Sequence, residues 1–347
     1  MGNCCAANHN DKDFLNQSHS NNIQRDSTKF HHHDNAALAQ PEQSGRLSIQ
    51  SNKSYLESPS EGVDAELLKK HGPSSNVAIF IKEIPDYSNP NTNAAREKLA
   101  PFVYNDDDPE DHKLLVLPAV QFIESNAIYK GQWKNKERHG RGEQWWPDGS
   151  CYQGYWRNNK TNGQGRLIHA DGDVYEGDWE NDKAHGKGVH CHMDGAKYEG
   201  EWSDDKQHGY GVEIWPDGAT YQGNYKMGKK EGHGVFKWSD GSSYDGEFTD
   251  NSINGHGTYR WADGRYYKGA WVNNKMHGKG EFTWPDGRIY VGGYIEDKKE
   301  GFGEFSWPDG KKYLGMYKNG KQHGKGKMIN EKGEEKEGEW NNGKQIK

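Results

Sequence analysis

Long apolar runs are missing from this sequence. No stretch approaches the ~18 apolar residues that could span a bilayer as a helix. The polar N-terminus also lacks the apolar core of a signal peptide, so the chain reads as non-spanning and cytosolic-side. Aliphatic mass is scarce as well. Only 31% of residues are hydrophobic and mean hydropathy is -1.22, which excludes a large multilayer core. Cysteine is sparse: Cys4, Cys5, Cys151 and Cys191 are too few and too scattered for a disulfide framework or a tetrahedral zinc site. Net charge is absent from most of the chain. Residues 127–347 hold 34 basic and 34 acidic side chains, whereas residues 1–126 hold 11 against 18 and carry the whole excess of -7. A neutral segment of that size has no bulk attraction to nucleic acid or anionic lipid.

What the chain has instead is aromatics and glycine. All 13 Trp lie at or after Trp133, and 41 of the 45 Gly at or after Gly131. Tyrosine recurs every 23 residues from Tyr129, Tyr152, Tyr175 and Tyr198 to Tyr313, with no insertion or deletion. Gly131, Gly154, Gly177 and Gly200 follow two residues later, and Trp133, Trp156, Trp179 and Trp202 two further on. Later units carry Tyr225, Phe248, Trp271, Tyr294 and Tyr317 at the aromatic position. A degraded tenth unit has Lys336 for the tyrosine but keeps Gly338 and Trp340. Each unit continues with Gly-x-Gly, preceded by His139, His185, His208, His277 or His323 in five units. An Asp-Gly turn closes eight units, as in Trp146-Pro147-Asp148-Gly149.

Tyr-x-Gly-x-Trp alternates with period 2, so its three marked residues share one face of a strand. Glycine between two large rings leaves space for neighbouring rings to pack over the backbone. The Gly-x-Gly segment is expected to start a second strand, as in Gly209-Tyr210-Gly211-Val212-Glu213-Ile214-Trp215. Each unit is then one β-hairpin, marginal alone and dependent on its neighbours. Nine units at roughly 9–10 Å each would make a rod of about 85 Å.

This pattern resembles the MORN (membrane occupation and recognition nexus) repeat family over residues 127–347. Asn162, Gly232-His233-Gly234 and Glu300 depart from its His-Gly step, and the last unit lacks the tyrosine. The resemblance implies an all-β fold: an elongated single-layer antiparallel sheet of stacked 23-residue β-hairpins after a largely disordered N-terminal region. Residues 1–60 read as a disordered leash rich in Asn, Gln, Ser and His. Residues 61–126 read as weakly ordered, with a short helix over 64–71, a lone strand over Val77–Ile84 and an acidic loop over Asn105–Asp111. Leu114–Phe122 is apolar enough to pair onto the first hairpin and cap the array of residues 127–347.

Met1-Gly2-Asn3-Cys4-Cys5 resembles an N-myristoylation signal, with Gly2 as acceptor and Cys4 and Cys5 available for palmitate. Ala6 stands where the motif prefers Ser or Thr. One myristoyl chain anchors only marginally, and Lys12, Arg25 and Lys29 are balanced by Asp11, Asp13 and Asp26, so palmitate is the remaining second signal. The plain alternative is a polar terminus with two unmodified thiols.

No catalytic motif emerges. No Gly-x-Gly reaches the third glycine of a dinucleotide loop, no Walker lysine follows, and nothing forms a nucleophile elbow. The His-Gly histidines recur about 10 Å apart, too far to share an ion, and suit a structural role at the hairpin turn. His190-Cys191-His192 resembles a ligand cluster, but alternation puts Cys191 opposite both histidines. His31-His32-His33 reads as a solvated tract. MORN arrays occur fused to lipid kinases and methyltransferases, but residues 60–126 are too few for either domain. No enzyme, cofactor or metal is expected. The leading expectation is a non-enzymatic scaffold, acyl-anchored to the cytoplasmic face of a membrane and binding a protein partner along the array. A second is a structural part of a ciliary machine such as a radial-spoke head. A third is weak phospholipid contact through the cluster Lys226, Lys229 and Lys230.

Overall fold

The computed structural model describes residues 65–104 and 113–347. The leash of residues 1–60, the acidic loop, His31–His33 and the lipidation candidates Gly2, Cys4 and Cys5 all lie outside the described residues. The described chain forms two compact bodies, residues 65–220 with 225–228, and residues 221–224 with 229–347. Among described residues, no helix is long and apolar enough to cross a membrane.

The first body opens with a helix, α1 (Ala65–His71), and a three-residue strand, β1 (Ala78–Phe80). A second helix, α2 (Pro90–Lys98), leads to β2 (Leu115–Phe122). The strand expected over Val77–Ile84 is therefore shorter, and it is not alone: Ile79 pairs with Gln121 of β2. β2 in turn pairs with β3 (Ile128–Lys134), Val116 opposite Gln132. Leu117, Val120 and Ile128 are buried at this end of the sheet. α2 is not among the elements expected from the sequence. Its signal is Asn89-Pro90, an N-cap followed by proline at the first helical position. The Asn89 side chain accepts from the Asn91 and Thr92 N–H groups, and the Thr92 hydroxyl accepts from the Asn89 N–H.

From β3 onward the first body is a meander of hairpins. β3 turns into β4 (Glu137–Trp145), followed by Cys151–Arg157 with Lys160–Ile168, Val174–Glu180 with Lys183–Cys191, and Lys197–Ser203 with Lys206–Ile214. The register places glycine opposite glycine: Gly131 with Gly142, Gly142 with Gly154, Gly154 with Gly165, Gly165 with Gly177. The second body repeats this scheme from Lys229–Lys237 to the short final pair Glu335–Asn341 and Lys344–Gln345.

One expectation needs correction. The returning strand does not begin at Gly-x-Gly; it begins three residues earlier, as at Lys206. The first glycine instead sits at a bulge, with Gly209 at φ 57° and the register shifting between His208 and Gly211. The strand can start early because a two-residue turn precedes it. Asn158 and Asn159, Asp204 and Asp205, and Asn273 and Asn274 all have positive φ, the geometry of tight hairpin turns.

Candidate functional site

The repeat residues gather on one face. Tyr129, Tyr152, Tyr175 and Tyr198 are buried, and each hydroxyl donates to the carbonyl three residues on: Gln132, Tyr155, Asp178 and Glu201. Gly142, Gly165, Gly188 and Gly211 each have the ring of their own repeat's tyrosine directly overhead, while Gly131, Gly154, Gly177 and Gly200 face its hydroxyl. Trp156, Trp179 and Trp202 donate from Nε1 to the carbonyls of Gly142, Gly165 and Gly188 in the preceding repeat. Each tyrosine meets the aromatic residue of its own repeat and that of the next edge-on; Tyr129 lies 5.3 Å from Trp133 and 5.4 Å from Trp156, and Tyr198 5.3 Å from Tyr225. Burial raises the Tyr129, Tyr152 and Tyr175 phenols well above their usual pKa. This face is closed by its own rings, and its marked residues are structural.

The turns are tied to one another. In successive repeats the second turn residue uses its N–H and its side chain on one residue of the previous turn. Asp182 N–H donates to the Thr161 carbonyl while its carboxylate accepts from the Thr161 N–H. Asn159 does this with Arg138, Asp205 with Ala184 and Asn274 with Ile253. The residue before Gly-x-Gly takes the next turn's first N–H. Asn158 N–H donates to His139 Nδ1, and Met227 N–H to His208 Nδ1. Glu231, Asn254 and Glu300 accept in the same way from Asp250, Asn273 and Asn319, so the departures at that step preserve an acceptor.

The opposite, outer face differs along the chain. Over the first repeats it is covered by α2 and residues 99–104. Asn89 Nδ2 donates to the Asp148 and Ala170 carbonyls, and Ala95 and Leu99 pack on Cys151, Ile168 and Val174. Tyr104 meets Tyr155 edge-on at 5.5 Å, Arg141 lies over the Tyr104 ring, and Arg166 lies over Phe102. Arg166 also donates to the Ala100 carbonyl. In the second body the same face carries exposed Val291 (50%), Ile295 (51%), Phe302 (63%) and Met316 (44%), with Phe302 and Met316 directly paired. The lysine cluster considered for lipid is partly committed: Lys229 pairs with Asp250, and Lys230 is buried over the Tyr221 ring.

A third feature was only half legible in the sequence. His190 and His192 do share the inner face, while Cys191 is exposed and burial pushes its thiol up, away from a thiolate ligand. The strand pairing of Tyr175 with His190 adds a residue 17 positions upstream of His190, Asp173. Its carboxylate accepts from His192 Nδ1 and from the Met193 N–H. The two imidazole centroids are 4.7 Å apart, edge to face. Burial holds His190 neutral, its pKa lowered to about 3.

Comparison with known proteins bears on the repeats. The MORN repeat model matches nine times, over residues 129–264, 267–287 and 290–334. No curated protein matches the chain. Among solved structures, the TCP10 domain of Danio rerio CPAP in complex with a peptide of Danio rerio STIL is 12% identical. The match covers 60% of this chain and 93% of that one, at a TM-score of 0.36. The same domain without the peptide gives 11%, 58%, 95% and 0.33, and the SAS-4 (dCPAP) TCP domain of Drosophila melanogaster with a proline-rich motif of Ana2 gives 16%, 44%, 83% and 0.28. At those scores the likeness carries no argument about this chain. The repeat itself is of a non-enzymatic scaffold type. With nine repeats matched across more than half its length, the chain belongs to the MORN repeat family.

Proposed function

We propose that this chain is a non-enzymatic scaffold, tethered to the cytoplasmic face of a membrane by acyl groups on Gly2 and on Cys4 or Cys5. On the outer face of its later repeats it binds an extended segment of a protein partner bearing two aromatic side chains at alternate positions. The observation that carries this is the chain's own residues 100–104. They lie on the outer face of the first repeats, Phe102 against Arg166 and Tyr104 against Arg141 and Tyr155. Seven repeats further along, those three positions are Lys327, Phe302 and Met316, and Phe302 and Met316 are exposed. Two of the positions that take aromatic side chains in the first body carry apolar side chains in the second. An exposed apolar cluster on a polar sheet marks an interaction site.

Two experiments test this. A labelled peptide of residues 99–108 serves as probe for the full chain. Saturable binding that weakens at least tenfold with Phe302→Asp, with the thermal transition unchanged, is expected; equal binding by that variant refutes the partner face. For the tether, Gly2→Ala should render the protein soluble, and Cys4→Ser with Cys5→Ser should leave only weak, reversible membrane association. Unchanged membrane partition in both variants refutes it.

A further inference from the structure

We infer that Asp173, His190 and His192 form a site for one divalent transition-metal ion of the zinc class. The argument starts from the repeat itself, because each position has counterparts elsewhere in the chain. In the later repeats the positions of His190 and His192 hold the ring pairs Phe236–Trp238, Phe282–Trp284 and Phe305–Trp307, with centroids 4.4–4.5 Å apart. His190 and His192 keep that ring contact, at 4.7 Å. The later repeats place two rings here, and the third repeat supplies two that also carry nitrogen donors. Packing alone does not explain Asp173, whose counterparts are Ser150, Ala196, Ala219, Ser242, Arg265, Arg288 and Lys311 before Glu334 of the degraded last unit. Carboxylate and imidazoles thus depart from the repeat together, in one place.

The geometry suits a single ion. One ligand atom from each residue lies within 4.8 Å of the others. Bonds of about 2.0–2.2 Å in a tetrahedral site set donors roughly 3.3–3.6 Å apart. Side-chain rotation of about 1 Å closes that gap. By contrast, the repeated His-Gly histidines recur about 10 Å apart and cannot converge. The Asp173 and His192 side chains are only 14% and 17% exposed, so the site is sheltered without being sealed. Strand and turn hold Asp173 in place, its other carboxylate oxygen accepting from the Met193 N–H.

The donor set also suits a cation, since a metal takes an ionised carboxylate and neutral imidazoles as ligands. His192 now shares its Nδ1 hydrogen with Asp173. On binding, the ion takes that hydrogen's place between the two side chains, and the neutral imidazole carries its proton on Nε2. One carboxylate and two neutral imidazoles leave a single negative charge facing a dication. Two nitrogens and one oxygen select zinc-like ions over magnesium or calcium. The fourth position falls to water or to His169, the residue one repeat before His192 and close enough to bear electrostatically on His190.

The test uses the full chain, stripped with chelator and titrated with Co²⁺. One equivalent should generate the intense visible absorption of a tetrahedral cobalt site, and Zn²⁺ should abolish it by displacement. His190→Phe with His192→Trp restores the ring pair of the later repeats, so it should fold with an unchanged thermal transition and show no such band. Asp173→Asn should weaken Zn²⁺ binding at least tenfold. Replacing His31, His32 and His33 by Ala should leave the band intact. The proposal is overturned if the wild type binds no Co²⁺ at micromolar concentrations, if the Phe/Trp variant titrates like the wild type, or if the band depends on His31–His33.

Discussion

Adding a single methyl group at Gly211 should be among the costliest small substitutions in this chain. A Cβ built there would sit 2.5 Å from both Cε2 and the hydroxyl oxygen of Tyr198, and 2.6 Å from Cζ. Ordinary contact begins near 3.4 Å, so the ring must retreat by about 0.9 Å. It has nowhere to go. Tyr198 is fully buried, edge-on to Trp202 at 5.1 Å and to Tyr225 at 5.3 Å, with its hydroxyl bonded to the Glu201 carbonyl at 2.9 Å. Overpacking costs about 1–3 kcal/mol where neighbours can yield. Here the upper end applies, and a broken buried hydrogen bond adds about 1 kcal/mol, giving roughly 4 kcal/mol for Gly211→Ala.

Gly218→Ala is the control. That turn glycine has φ 84° and no atom near its missing Cβ, so only the backbone penalty of about 1–2 kcal/mol applies. Urea unfolding followed by tryptophan fluorescence would measure both. A double-mutant cycle identifies the ring as the cause. Tyr198→Ala should cost ~3–5 kcal/mol alone, and adding Gly211→Ala to it should cost only about 1 kcal/mol more, a coupling of about 3 kcal/mol. If Gly211→Ala costs no more than Gly218→Ala, or if the two substitutions at 198 and 211 simply add, then the ring-over-glycine contact does not hold the repeat together.

Trp202, packed between Tyr175 and Tyr198 and bonded to the Gly188 carbonyl, should lose ~3–5 kcal/mol on truncation to Ala. Trp340 meets Tyr313 at the chain's end, so Trp340→Ala should cost clearly less; equal losses in denaturant unfolding would contradict stability built from neighbouring repeats. Burial raises the Asp182 carboxyl above its ordinary value, so ionisation opposes folding as pH rises through that value. Asp182→Asn keeps the acceptor for the Thr161 N–H and should raise Tm at pH 7, with the gain vanishing below about pH 4; a lower Tm at pH 7 would refute this. The buried tyrosines, raised by desolvation, contribute stability that is intact below about pH 10 and lost above it. Phenolate absorption should therefore appear together with loss of the far-ultraviolet β signal, and phenolate appearing first in a still-folded protein would contradict their burial.

The repeat was legible because its determinants are local and periodic. Tyr152, Gly154 and Trp156 lie within five residues, and alternation alone assigns them to one face. Everything that links one repeat to the next was less visible. The pair Asn158-Asn159 reads as a polar stretch until a fold shows both residues at positive φ. The Asp182–Thr161 tie spans 21 residues and has no signature in either neighbourhood. The same holds for Asp173, an ordinary turn aspartate by sequence that strand pairing delivers to two histidines. Helix α2 is hidden by the loop-like composition of Pro90-Asn91-Thr92-Asn93; its N-cap and proline are the available signal.

The doubled hydrogen bonds between successive turns also bear on the spacing of the repeats. Each turn counts 21 residues back to find its partner, while each strand must keep its rings on one side. An extra residue in a strand would defeat both requirements at once, turning the aromatic face outward and leaving a buried N–H without its acceptor. Only a whole repeat can be added or removed at no such cost. The chain is in this sense a counted object, altered by integers. Its unbroken 23-residue period from Tyr129 to Tyr313 is what such a constraint leaves in a sequence.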